Sequence, residues 1–187
     1  MLEESSNSED STSPKSFEKA TVRISYRRLR PSDVEATFVL ANSVLPLFYP
    51  RFFLKKVIDS TTGTAIGAFN EDEKLVGFIL GDFDLVFVPR ALTQLQVEQK
   101  KGFCIMLVGV DKSFQSLGIG TRLVKLIANA DFVYLHVMTE HLRAIRVYES
   151  VGFKRMVVWP KYYALNPARD AFVMFKLVSP KFKGQFL

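Results

Sequence analysis

In residues 22–28 apolar and polar positions alternate, with Val22, Ile24 and Tyr26 on one face, which predicts a strand. Pro31-Ser32-Asp33 then opens a helix to about Asn42, since proline suits a first helical turn. The segment Leu45-Pro46-Leu47-Phe48-Tyr49-Pro50 breaks the pattern, and a second helix is expected over 51–59. Residues 64–70 and 75–82 read as strands around Glu71-Asp72-Glu73-Lys74, a hairpin, followed by an ill-defined connection over 85–101. The nearly continuous apolar run 103–110 fits a central strand buried on both faces. A glycine-containing turn leads to a helix over 117–130, then to a buried strand over 132–139. Residues 143–150 are amphipathic and stop at Gly152, a residue suited to a helix C-terminus. Two strands, 153–159 and 172–178, close the chain. This order predicts an α/β protein with a mixed central sheet flanked by helices.

A length of 187 residues suits one domain with a sizeable core. Hydrophobic residues at 48% against 24% charged support a folded protein, and 17 phenylalanines suggest an aromatic core. Residues 1–20 hold five acids and two bases and read as a disordered acidic tail rather than a signal or transit peptide. The overall charge of +6 therefore leaves +9 on the remainder, expected to divide into a domain over 21–179 and a basic tail over 180–187. Such a body attracts polyanions. No aromatic-basic RNA signature, helix-turn-helix pattern or zinc spacing accompanies the charge, so neither nucleic acid nor metal is expected. Cys104 is the single cysteine, which excludes an internal disulfide and suits a reducing compartment. No apolar run nears the roughly 20 residues of a bilayer span. The tail Lys181-Phe182-Lys183-Gly184-Gln185-Phe186-Leu187 mixes bases and aromatics but is too short to anchor stably on a membrane.

The chemistry-bearing segment is Gln115-Ser116-Leu117-Gly118-Ile119-Gly120-Thr121, between a strand and a helix. Glycines there let phosphates approach the backbone, whose N–H groups bind the anion. By itself, a GxG at such a junction is also an ordinary tight connection. A second block follows at Tyr134-Leu135-His136-Val137 and at Ala144-Ile145-Arg146-Val147-Tyr148, ending in Gly152-Phe153.

Together, Q-x-x-G-x-G after a strand and A-I-x-x-Y-x-x-x-G-F after the next strand resemble the GCN5-related N-acetyltransferase (GNAT) superfamily. The likeness spans about residues 22–178. Leu45-Pro46-Leu47-Phe48-Tyr49, the run Ile105-Met106-Leu107-Val108-Gly109-Val110, Tyr134-Leu135-His136-Val137 and Tyr162-Tyr163 narrow it to a resemblance to protein N-terminal acetyltransferases of the E (San-like) and F types. Pro46, Tyr49-Pro50, His136-Val137-Met138-Thr139 and Pro160-Lys161-Tyr162-Tyr163 lean towards F. The resemblance implies acetyl-CoA as cosubstrate and a protein N-terminus, Met followed by an apolar, aromatic or Lys residue, as acceptor. It implies that Val108 and Val110 pair with the pantetheine arm, and that Gln115, Ser116, Gly118, Gly120 and Thr121 cradle the pyrophosphate. His141 stands where the family usually has a cofactor-contacting Asn, and Tyr148 matches the tyrosine near the sulfur. Leu45, Pro46, Tyr49, Met106, Tyr162 and Tyr163 match the peptide-pocket walls, and His136 the histidine that deprotonates the amine, through a water. An α-amine with pKa near 8 needs only a moderate base, and a tyrosine can protonate the departing thiolate, so His136 and Tyr148 are the implied catalytic pair. A cytoplasmic location is implied, or a peripheral one on Golgi membranes, with an auxiliary acetyltransferase subunit among the implied partners.

Two positions depart from the family. Cys104 stands where a base-sharing tyrosine is usual. His136 then acts alone, another tyrosine such as Tyr162 takes over, or catalysis is weakened. Only Ala130-Asp131 separates the predicted helix from the next strand, about half a dozen residues short of the family's usual spacing. The rival readings are a lysine or small-amine acetyltransferase and a non-catalytic acetyl-CoA-binding scaffold subunit.

Overall fold

The computed structural model describes residues 22–83, 102–127 and 130–178. The acidic tail, the connection over 85–101 and the basic tail lie outside the described residues. Strand β1 (Ser25–Arg28) leads through a 3-10 turn (Pro31–Asp33) into helix α1 (Val34–Val44), then α2 (Arg51–Asp59). Strands β2 (Thr64–Phe69), β3 (Leu75–Asp82) and β4 (Gly102–Val110) follow. Helix α3 (Ile119–Lys125), β5 (Phe132–Met138), α4 (Leu142–Ser150), β6 (Lys154–Tyr163) and β7 (Arg169–Leu177) complete the order. No helix among the described residues is long and apolar enough to cross a membrane.

The seven strands form one sheet in the order β1-β2-β3-β4-β5-β7-β6. Only β4 and β5 are parallel; all other neighbours are antiparallel. One face packs against α1 and α2 through Leu40, Ala41, Leu54, Val57, Ile58, Phe78 and Leu80. Leu54, Val57 and Ile58 recur at i, i+3 and i+4, so α2 turns one apolar stripe to the sheet. Each such side chain stabilises by roughly 1.5–3 kcal/mol when fully buried. The other face buries Val76, Ile79, Phe103 and Ile105 against Ile119, Leu123 and Val124 of α3 and Ile145 of α4. The result is a three-layer α/β arrangement.

The expected boundaries shift by a residue or more at several elements, with consequences at the first strand, the helix after the glycine turn and the last two strands. The first strand begins at Ser25, because Val22 is half exposed and lies ahead of the pairing with β2. The helix expected over 117–130 is a seven-residue helix ending at Lys125, which accounts for the short connection to β5. Leu117 precedes it because Gly118, in the left-handed region at φ 77°, is the N-cap. The last two strands run longer than their apolar cores, β6 reaching Tyr163 and β7 starting at Arg169, since hairpin pairing extends beyond buried positions. Pro160 is tolerated within β6 because that strand is the sheet edge.

Two irregularities shape the middle of the sheet. Leu80 pairs with Leu107 and Gly81 with Ile105, so Met106 is an extra residue, a β-bulge. The β4–β5 pairs run from Gly102↔Phe132 to Ile105↔Leu135 and stop there, while β4 continues along β3 to Val110. Past Ile105 the two central strands therefore part.

Gly81 sits opposite this bulge, and a Cβ there would lie 2.4 Å from the Cys104 carbonyl oxygen and from the Phe103 ring. Gly81→Ala is expected to destabilise by about 1–3 kcal/mol in chemical denaturation. Gly120→Ala, whose Cβ would meet Val110 at 3.7 Å, is expected to be neutral or stabilising, as alanine is favoured in a helix.

Candidate active site

The parting of β4 and β5 leaves a cleft of about 420 Å³ on one side of β4 and a separate cavity of about 490 Å³ further back along the strand. The cleft is walled by Val108 and Val110, by the loop residues Gln115, Ser116, Gly118, Gly120 and Thr121, and by His141 and Tyr148 of the α4 segment. All nine residues to which the resemblance gives a cofactor role thus line one space. The Asp111 N–H donates to the Val76 carbonyl on β3 at 2.8 Å. Backbone groups alternate in direction along a strand, so the N–H and C=O of Val108 and Val110 point away from β3, into the cleft. They form a sheet edge, open except where the Gln115 amide donates to the Val110 carbonyl at 3.0 Å, that an extended amide-bearing chain can complete.

Three features fit the loop to a diphosphate. Gly118 needs its left-handed φ of 77°, and nothing lies within 4 Å of the position its Cβ would take, so the loop is open there. Ser116 is also left-handed, at φ 67°, a strain that costs on the order of 1–3 kcal/mol and holds its hydroxyl at the loop's surface. The Asp111 carboxylate accepts from the Ser113 N–H at 2.9 Å and starts the 3-10 turn leading into the loop. Tyr148 lies where its phenol, kept protonated by burial that pushes its pKa up to about 12, remains a hydrogen-bond donor at neutral pH. The residues present therefore suit a pantetheine diphosphate.

The cavity is walled by Tyr49, Met106, His136, Tyr162 and Tyr163 together with Leu47, Phe53, Cys104 and Tyr134. Leu45, expected there, instead lines the cofactor cleft, and exposed Pro46 lines neither space. The chain is extended at Leu45, where α1 ends, and Leu45 lines the cleft beside Val44. Leu47 and Phe53 are further walls that the motifs do not point to; both are apolar residues near Tyr49, the one available signal. Asn42 was also missed. Its amide donates to the Tyr49 carbonyl at 3.1 Å and its oxygen accepts from the Tyr49 N–H at 2.9 Å, which fixes the Tyr49 loop on α1.

His136 is packed in aromatic rings. Tyr162 stacks on it at 4.3 Å and 6°, while Trp159 and Tyr134 meet it edge-on. The local cause is a kink in β6: Lys161 takes φ 53° and its N–H is captured by the Asp170 carboxylate at 2.8 Å. Beyond the kink, the Tyr163 hydroxyl donates to the His136 carbonyl at 3.1 Å. Burial lowers the imidazole pKa to about 4, so the ring is neutral at physiological pH. Its Nε2 is buried without a hydrogen-bond partner among the described residues, an orphan polar atom beside the cavity.

Cys104 is paired in register with Tyr134, and their side chains share a hydrogen bond. Burial pushes the thiol up to about 11, so it stays protonated, as expected for a packing residue rather than a nucleophile. The Tyr134 phenol, raised by burial and then by Cys104, lies against the position that carries the family's usual tyrosine. No metal-binding cluster occurs among the described residues.

Residues 33–153 match the acetyltransferase (GNAT) family. An N-alpha-acetyltransferase of Sulfurisphaera tokodaii is 31% identical over 155 residues, spanning 79% of this chain and 89% of that protein. The crystal structure of Arabidopsis thaliana NAA60 in complex with a bisubstrate analogue aligns with a TM-score of 0.73 at 21% identity, over 84% of this chain and 100% of the other. Arabidopsis thaliana Naa50 in complex with the bisubstrate analogue CoA-Ac-MVNAL aligns with a TM-score of 0.66 at 22% identity, over 83% of this chain and 99% of the other. The chain belongs to the GNAT acetyltransferase family and is an acetyl-CoA-dependent acetyltransferase related to the N-terminal acetyltransferases.

Proposed function

We propose that this enzyme acetylates the α-amino group of protein N-termini that begin with Met followed by an apolar, aromatic or Lys residue, by direct transfer. The observation that carries the reading is the chemistry of the cavity behind β4. Its walls are phenols, apolar side chains, the Cys104 thiol and a neutral imidazole, with no carboxylate among the described residues that line it. A polyamine would leave its further cationic groups uncompensated there, whereas an apolar first residue is well housed. The Met-Val peptide carried by the Arabidopsis Naa50 ligand supports the same preference.

The thioester supplies the acyl group, and this chain's residues handle the amine and its proton. The orphan Nε2 of His136 is the acceptor nearest in kind to an amine or to a water bonded to it. With a pKa of about 4 the ring takes up a proton only in passing and hands it on, so the amine's own equilibrium sets the pH dependence. Tyr148, protonated, is the donor on the cleft side for the departing thiolate. Cys104 stays a protonated packing residue, so no acyl-enzyme is formed on it.

In a mass-spectrometric transfer assay, Met-Leu and Met-Lys peptides should be acetylated in preference to peptides beginning with Ser or Ala. His136→Ala should lower kcat by about 100-fold, in the range of positioned acid–base groups. The absence of the usual phenol at Cys104 favours one alternative, a cofactor-binding subunit with little turnover. Acetyl-CoA binding without transfer to any peptide would establish that alternative, and a gain of turnover in Cys104→Tyr would trace it to the missing phenol.

The pH profile separates the amine from the imidazole. For a Met-Leu peptide, kcat/KM should rise towards an amine pKa near 8, with no inflection at about 6.5, because His136 is already neutral there. An inflection near 6.5 that vanishes in His136→Ala contradicts this assignment. Tyr162→Ala removes the stacked cover, so an NMR titration of the two histidines should find the His136 pKa raised towards about 6.5.

A further inference from the structure

Arg143, in the first turn of α4, reaches across the cofactor cleft to the loop that follows β4. Its Nη1 donates to Gln115 Oε1 at 2.7 Å and its Nη2 to Ser116 Oγ at 2.9 Å. Both acceptors are neutral, and among the described residues Arg143 has no carboxylate partner. Other arginines of the chain are neutralised: Arg27 by Asp33, Arg51 by Glu35 and Arg155 by Glu149. Arg143 is also the one permanently charged side chain among the described residues lining the cleft. A guanidinium has five N–H donors in a planar fork. Two are used here, which leaves three for a further acceptor in an exposed position.

Gln115 passes the contact on, because its amide nitrogen donates to the Val110 carbonyl at 3.0 Å. That carbonyl belongs to the open edge of β4, so the chain Arg143–Gln115–Val110 straps α4 to the strand that borders the cleft. A full positive charge resting on two neutral side chains, at the loop suited to a diphosphate, is a site short of its anion. Guanidinium forks bind phosphate oxygens in pairs, with geometry that an ammonium cannot reproduce.

We propose that Arg143 is the phosphate clamp of this enzyme, donating from α4 to the diphosphate of acetyl-CoA while that group lies against the Gln115–Thr121 loop. The proposal rests on the reading of that loop as the diphosphate cradle. Arg143 thereby closes the cleft from the wall opposite the loop and couples cofactor binding to the position of α4, which carries Tyr148.

The test compares acetyl-CoA, 3′-dephospho-acetyl-CoA and S-acetylpantetheine on wild type, Arg143→Ala, Arg143→Lys and Gly120→Asp. Affinities come from calorimetry, with NMR titration for the weakest ligand. Arg143→Ala should weaken both phosphate-bearing ligands by about 10- to 100-fold, the range of hydrogen bonds to charged groups, and leave S-acetylpantetheine within about 2-fold. Arg143→Lys should recover only part of the loss. Unchanged acetyl-CoA affinity in Arg143→Ala overturns the clamp, and so does an equal loss for all three ligands, which marks a merely structural strap. A loss confined to acetyl-CoA overturns the diphosphate assignment in favour of the 3′-phosphate. Gly120→Asp sets a carboxylate into the loop; undiminished acetyl-CoA binding by that variant would refute the loop reading itself, independently of Arg143.

Discussion

Every functional feature of this molecule depends on the point at which β4 and β5 cease to pair. Parallel strands in the middle of a sheet normally satisfy each other's backbone groups along their whole length, and leaving them unpaired in a buried setting is costly. Here the pairing ends at Ile105↔Leu135, and the bulge at Met106 falls on the next residue of β4. The bulge changes the parity of the strand. Phe103, Ile105, Val108 and Val110 all pack with the α3–α4 face, so Met106 and Leu107 both turn to the other side. One irregularity thus opens a backbone edge towards the cofactor cleft and turns two consecutive side chains towards the α1–α2 side, where the second cavity lies.

The two spaces divide the chemistry by polarity. The cleft offers backbone donors, hydroxyls, an amide and a single guanidinium, a set suited to a polyanion with an amide-bearing arm. The cavity offers phenols and a histidine kept neutral by its aromatic surroundings, suited to an amine that must lose its charge before it can react. Burial acts in the same direction on all of these groups. It raises the phenols and the Cys104 thiol and lowers the imidazole, so each stays in its uncharged form at neutral pH. A site of this kind suits a neutral amine and has little to hold an ammonium.

Much of this was legible in the chain, for identifiable reasons. The bounds of α2 and β3 follow directly from their apolar residues, because α2 buries the stripe that its helical period predicts and β3 is a continuous run buried on both faces. The nine cofactor-cleft residues are close in sequence to one loop and one helix start, so a motif captures them together. What escaped depends on contacts distant in sequence. Leu45 and Pro46 stand in the same short segment as Tyr49, but after α1 ends Leu45 lines the cleft and Pro46 is exposed. Asn42 and Arg143 act through hydrogen bonds to residues 7 and 27–28 positions away, which no local pattern reports. Cys104 drew notice as a missing phenol, whereas its register partner Tyr134, the phenol packed against it, became visible only with the pairing of β4 and β5.

The central claim is that the open edge of β4 is completed by acetyl-CoA. Amide hydrogen exchange, resolved by residue and measured with and without acetyl-CoA, tests it most directly. The N–H groups of Val108 and Val110 should slow markedly on addition of the cofactor, while that of Asp111, already bonded to Val76, should change little. Unchanged exchange at Val108 and Val110 under saturating acetyl-CoA would contradict the account, because the cofactor would then bind without completing the strand edge.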